Sequence, residues 1–592
     1  MRLARFAAAT TLLFGLVPKP ATGWEPVPAA ANVRRTQAEI ETLIDRLGDD
    51  DFFVREKAQS ELAALGVAAF DALGEALERR RDVEILERVR YLLREIKIDW
   101  VVKGEPDEVE RLMQNYEGAD DGTRLAVIEQ LGAGVDVRVL PALCRIVRFE
   151  RSPALAKRAA VRIIEQRPAA DDDWNLRAET LRRGIGDSPR APAAWIRAHL
   201  VAHDDPAAGA KALGELIEAE MTVFRHTPQR SRADVLIGLW RRQADLLKHL
   251  NRRPEAVVAM MNIVALDAGG VEALTEVLRW LVDNQAWAEV DDLAGRFAAK
   301  FEADPLLTYE LAGARRAQRR TEDETRLVAA ALAMNAGDQK THILTGMELH
   351  KRGLIDYSEG EYRHAIGLAP PGQSLTLTAQ FMLAESLHDR RRDLEAGKVL
   401  EEAADAMDRA DRKREDLSEV GRSPATVRAR SHYFYALGYA HDGKPDQTKK
   451  HLLEGLGEDQ YDAEILIALF HVADLEASVR DRVRSLIKDS TQQYREQIKA
   501  APNDDTPYNQ LAWLISNTEG DFQEALRASQ KSLEIEPGNA GHMDTLARCY
   551  FAAGDPENAV KQQRRAIELE PHSQQMRRQL AEFEAARAKP KP

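Results

Sequence analysis

The amino-acid sequence predicts an all-α fold, an α-solenoid of stacked antiparallel helix pairs, and three observations carry that prediction. First, Ala, Leu, Glu and Arg dominate the 592 residues, aromatics make up only 6%, and no stretch alternates Val, Ile and Thr as a half-buried strand would. Second, sequence signals recur at a fixed spacing, the mark of repeat architectures: Gly520 and Gly554, Ala525 and Ala559, and Pro537 and Pro571 each lie 34 residues apart. Third, the chain is too long for one hydrophobic core yet holds only two cysteines, Cys144 and Cys549, both in helical patterns. Its stability is therefore expected from stacked helices, with the cysteines as buried small hydrophobes. Charged residues form 30% of the chain with both signs mixed, as on helices with one wet face. A net charge of −14 argues against nucleic acid as the partner, because phosphate binding needs a basic field.

At the N-terminus, Arg2 and Arg5 precede an apolar run from Phe6 to Val17, followed by the small residues Ala21 and Gly23. This is the three-part layout of a secretory signal peptide over residues 1–23. The apolar run is shorter than the roughly 20 residues that span a bilayer, so the expectation is cleavage after Gly23, not anchoring. Residues 24–36, rich in Pro and Ala, read as an extended linker. From 37 to 166 the pattern is of helix pairs. Leu43, Ile44 and Leu47 share a face, Asp51 stands where a cap is needed, and Val54-Arg55, Ala58 and Leu62 follow at helical spacing. This segment resembles HEAT-type repeats, a family in which an Asp and an Arg stack along the superhelix; Asp51 and Arg55 are the matching residues. A second unit from Thr123 to Ile146 lacks the signature, since Val137-Arg138 falls in the turn. A generic helical bundle is the alternative reading of this region.

From 170 to 475 the helix pairs continue with a fading signature. Trp195 to Leu213 has Asp205-Pro206 between its helices. Trp240, Ala244 and Leu247 precede the turn at Arg253-Pro254, and Gly346, Gly353, Tyr362 and Ala365 fall at regular offsets. Leu383-Ala384 and Leu437-Gly438 mark two more units. From 476 to 585 the pattern is sharpest. Leu511-Ala512 and Leu546-Ala547 place a small residue in the first helix, where the second must pack closely, and Pro537 and Pro571 end the second helix. These units resemble the tetratricopeptide repeat, and degenerate units of the same kind are expected upstream. The helix after Pro571 reads as a polar cap, residues 586–592 as a disordered tail, and Asp408 to Thr426 as a charged linker, either solvated helix or loop.

Motifs for chemistry are missing. The 14 histidines show no metal-ligand spacing, and His432, His441 and His451 read as surface or packing residues. Asp171-Asp172-Asp173 reads as helix capping. No nucleophile elbow or phosphate loop is present, and Ser485-Leu486-Ile487-Lys488 lies in a helical run without companion motifs. Arg315, Arg316, Arg319, Arg320 and Arg390-Arg391-Arg392 have acidic neighbours and read as solvated faces. The expectation is a non-catalytic scaffold or adaptor of the periplasm or cell envelope, or of the exterior, with no cofactor, no nucleic acid and no stable membrane insertion after cleavage. Its partner would be a protein or peptide held on the concave face, lined by the first helix of each pair. The residues beside the packing positions there are Tyr435, Tyr439, Asn509, Trp513, Asn517, Asp544, Arg548 and Phe551. Trp513 serves equally well as packing against the next unit. The alternatives are a structural envelope component that self-associates through its ends and, less favoured, an enzyme whose site is assembled across helices.

Overall fold

The computed structural model describes residues 36–133, 136–166, 174–267, 269–412 and 422–587. The expected signal peptide, nearly all of the 24–36 linker, the Asp171–Asp173 cap and the tail from 588 lie outside them, as do residues 413–421 of the charged linker. That linker's flanks are helical: one helix runs to Arg412 and the next begins at Pro424. Among the described residues every regular element is a helix, and none is long and apolar enough to cross a membrane. The chain divides into two compact units, Met1–Ala256 and Val257–Pro592, with the boundary inside the helix Arg253–Leu266.

The first unit begins with Gln37–Arg46 and Phe52–Leu65, then Phe70–Arg79 and Val83–Glu95, packed through Leu43, Leu62, Leu73 and Val89. Asp51 caps its helix by accepting from the Phe53 amide at 2.8 Å. The Arg55 amide donates to the Asp51 carbonyl at 3.2 Å, while its guanidinium turns to other partners. It donates to the carbonyls of Asp49 and Asp50 at 2.7 and 3.1 Å and pairs with Glu84 of the following helix pair at 3.4 Å. Val137 and Arg138 form a single 3₁₀ turn capped by Asp136, between Asp121–Ala133 and Leu140–Phe149. Three helices, Ala191–Asp204, Pro206–His226 and Ala233–His249, end the unit; Asp205 and Pro206, which the sequence places between two helices, are the N-cap and first residue of the second of them.

In the second unit successive pairs are Val271–Asp283 with Trp287–Arg296, Pro305–Ala317 with Thr321–Ala333, and Gln339–Lys351 with Ile355–Gly367. Next come Ser374–Asp389 with Asp393–Arg412, Pro424–His441 with Pro445–Glu458, and Ala463–Phe470 with Ala477–Ala500. The last are Asp505–Ser516 with Phe522–Ile535 and Ala540–Ala552 with Pro556–Leu569, followed by a single terminal helix, Gln574–Arg587. Within most pairs the turn has one recurring geometry. A residue with positive φ follows the first helix, and the next amide reaches back to a carbonyl five residues earlier, as in Leu354 to Leu349, Lys444 to Tyr439 and Asp555 to Tyr550. Glycine holds the left-handed position at 353, 443 and 554, while Arg319 and Arg391 hold it elsewhere. The turn therefore persists where its sequence signature does not, because other residues adopt that conformation at a cost of about 1 kcal/mol. The core runs between helices as linked clusters: Leu383, Leu400 and Phe434, then Leu466, Leu486 and Leu514, then Ala525, Leu546 and Cys549. Burial pushes the thiols of Cys144 and Cys549 up to about 12, so neither is a nucleophile at neutral pH.

Candidate functional site

The first helices at the C-terminal end bring several of the sequence-selected residues into contact with their own chain. Trp513 donates from Nε1 to Glu464 Oε1 at 3.0 Å, and Tyr433 donates to the other oxygen at 3.3 Å. Burial raises the pKa of Glu464 while the Arg430 guanidinium opposes it. Asn517 donates to the Trp513 carbonyl at 2.9 Å. Asp544 is 8% exposed and accepts from Gln563 Nε2 at 2.6 Å, and burial pushes its carboxyl above the usual range. Arg548 bonds Glu582 and Gln579 at 2.9–3.0 Å and lies over the rings of Phe551 and Phe583, which stack 4.6 Å apart. Gln579 of the terminal helix Gln574–Arg587 also donates to the Asp544 carbonyl at 3.3 Å, so Asp544, Arg548 and Phe551 all meet that helix. Tyr435 donates to Glu401 at 2.8 Å, and Tyr439 stacks on His451. Asn509 is the exception: its half-buried side chain keeps Oδ1 without a hydrogen-bond partner among the described residues.

The basic clusters are less solvated than their sequence suggests. Arg315 is buried and paired with Asp291, while Arg390 and Arg392 cross to Glu359 at 3.1 and 2.7 Å. They act as ties between repeats.

The sequence marks a polar capping helix after Pro571 but not where that helix docks. The terminal helix returns to a repeat almost 190 residues earlier. Asp389 accepts from the amides of Gln574 and Gln575 at 3.0 and 2.8 Å and from the Ser573 hydroxyl at 3.3 Å, and Arg578 donates to the Asp389 carbonyl at 2.8 Å. A carboxylate from mid-array therefore caps the last helix, where unpaired amides and the helix dipole favour negative charge. Asp389→Ala is expected to cost about 1–2 kcal/mol, the loss of a cap, and to fray this helix. Amide exchange over Gln574–Arg587 would rise selectively; unchanged protection there would refute the latch.

Beside the latch opens a cleft of about 400 Å³. Met347, Tyr362 and Met382 form one wall, Leu569 and His572 the other, and Lys351 and Glu385 supply opposite charges. The Met side chains adapt to varied apolar shapes, and the flanking charges orient what binds.

The first unit holds a larger cavity of about 660 Å³, walled by Arg158, Arg162, Arg241, Arg242, Trp174 and His199. Much of its positive charge is answered: Arg158 pairs with Glu129 at 2.6 Å, and Arg162 with Glu165 at 3.0 Å. Burial, then the guanidinia of Arg242 and Arg177, hold the His199 imidazole down at about 3. Because the folded value lies below the ordinary 6.5, the neutral ring contributes stability present above pH 6.5 and lost as pH falls toward 3. The first unit should therefore weaken on acidification through that window, and His199→Gln should flatten the dependence. Urea midpoints at several pH values test this; parallel curves for both proteins would count against it.

Residues 518–582 match the family model described as Tetratricopeptide repeat. Among the described residues the chain is all-helical and repetitive, and residues 518–582 carry the pattern of tetratricopeptide repeats. Among curated proteins, none matches. Similar solved structures include the TPR2AB-domain:pHSP90 complex of yeast Sti1, with 18% identity, 42% of this chain and 98% of that chain covered, and a TM-score of 0.18. Yeast Tom70 aligns at 15% identity over 70% of this chain and 85% of its own, with a TM-score of 0.24. The APC/C hetero-tetramer Cut9-Hcn1 aligns at 12% identity over 92% of both chains, with a TM-score of 0.23.

Proposed function

We propose that this protein is a non-catalytic interaction scaffold, exported to the periplasm or cell envelope, that holds an extended peptide or protein segment on its second unit. The repeat fold supports a protein-interaction role in general. The observation that carries the specific reading is the cleft at the latch, where Met347, Met382 and Leu569 offer apolar anchorage between Lys351 and Glu385. Leu569, half exposed at 49%, is an apolar contact left to solvent at the cleft edge. Trp513 and Arg548 are poor probes of binding, because changing either disturbs contacts within the repeats.

A photo-crosslinking residue placed at Lys351 or Leu569 in the full chain tests the surface, with Arg527, 68% exposed at its side chain, as control. Discrete protein adducts at the first two positions and none at Arg527 are expected. Equal labelling at all three would overturn the cleft as the docking site. Export has its own readout: the chain recovered from an envelope fraction should begin at Trp24. A cytoplasmic chain retaining Met1 would sink that part.

A further inference from the structure

We infer that His432, His451 and Glu454 form a binding site for one divalent transition-metal ion of the zinc type. His432 sits on Pro424–His441, and the other two on its partner helix Pro445–Glu458. The two Nδ1 atoms are 3.0 Å apart, and Glu454 Oε2 lies 3.6 Å from the first and 3.5 Å from the second. Zinc binds imidazole nitrogen and carboxylate oxygen at about 2.0–2.1 Å, which places tetrahedral donors about 3.3–3.4 Å from one another. All three edges fall within about 0.4 Å of that value, so rotamer adjustments suffice to close the triangle around an ion. Two His and one Glu are a donor set zinc uses when its fourth position is left to water or another ligand. Here that position faces outward, since the Glu454 side chain is 41% exposed and offers a path of entry.

The surroundings hold the donors in place. Gly455 lets the helices approach this closely: a Cβ there would meet Ile465 Cδ1 at 2.6 Å and His432 Cβ at 3.2 Å. The rings of Tyr435 and Tyr439 pack against His451 with centroids 5.1 and 5.3 Å away, which restrains the imidazole. Glu401 and Glu458 add negative potential near His432. Arg428, whose charge also acts on His432, is engaged by Asp405 and Asp408. On binding, each Nδ1 coordinates and the remaining ring proton resides on Nε2. The ion would then clamp the two helices of one repeat, next to Tyr435 and Tyr439.

The test is calorimetric titration of the metal-stripped full chain with zinc chloride near neutral pH, with cobalt(II) as a spectroscopic substitute. One zinc per chain is expected, together with the intense visible absorption of four-coordinate cobalt. His432→Ala and His451→Ala should each weaken binding by at least about tenfold and abolish that absorption. His441→Ala and His471→Ala should change neither. Glu454→Gln, at an exposed position, guards against a variant that misfolds: its circular dichroism should match the parent while zinc binding falls. Zinc uptake that survives the His432→Ala/His451→Ala double substitution, or a weak octahedral cobalt spectrum, would overturn the site.

Discussion

Lys157→Met is expected to destabilise the first unit by about 3–5 kcal/mol, the range for breaking a buried ion pair from one side. Lys157 and Glu220 are 5% and 3% exposed, and Nζ meets Oε2 at 2.6 Å. They join Pro153–Glu165 to Pro206–His226, while the Arg230 carbonyl accepts from Nζ at 3.0 Å and the Ser231 hydroxyl donates to Glu220. The ammonium also lies 6.0 Å from the Trp195 ring centroid. Removing it strands a carboxylate away from water with only a hydroxyl for support. Replacing both partners, Lys157→Met with Glu220→Leu, removes both desolvated charges and should recover most of the loss. Urea unfolding followed through Trp195 distinguishes the cases. A double variant as unstable as Lys157→Met alone would show that the stranded charge is not the cause.

The parts of this architecture that were legible in the sequence are those set within one repeat. Gly520 and Gly554, Pro537 and Pro571, and the small residues Ala512 and Ala547 report local turns and close helix contacts, and they agree with the observed pairs. Upstream, Arg319 and Arg391 occupy left-handed turn positions that glycine marks elsewhere, so the turn survives while its signature vanishes. Properties that arise between repeats were hidden. Periodicity puts Asp544, Arg548 and Phe551 on a first helix beside the packing positions, but not that the terminal helix would cover them. His432 and His451 are 19 residues apart on opposite helices of one pair, a distance that ligand-spacing rules for single helices or loops do not cover. The cap that Asp389 supplies to Gln574 and Gln575 depends on rotation summed over five repeats, which no local pattern encodes.

The second large effect is expected at Glu361, where Glu361→Leu should cost the second unit about 2–5 kcal/mol. Its carboxylate is buried among three helices, accepting from the Tyr309 hydroxyl at 2.6 Å and meeting His342 Nδ1 at 2.5 Å. Burial, then the negative charge of Glu361, drives the Tyr309 phenol far above its ordinary pKa, so it remains a donor at all physiological pH. Leucine would leave a phenol and an imidazole without their partner, and each stranded polar group costs about 1–3 kcal/mol. Glu361→Gln retains an acceptor for Tyr309 and should cost less, and Tyr309→Phe should cost about 1 kcal/mol. The triad joins Pro305–Ala317, Gln339–Lys351 and Ile355–Gly367, and the last two carry Met347, Lys351 and Tyr362 of the cleft. Loss of the carboxylate should therefore weaken both the fold of this unit and crosslinking through Lys351. Lys157→Met, confined to the first unit, should lower stability there and leave that crosslink intact. A chain in which both substitutions reduced crosslinking equally would show that capture follows overall stability and not the geometry of the cleft.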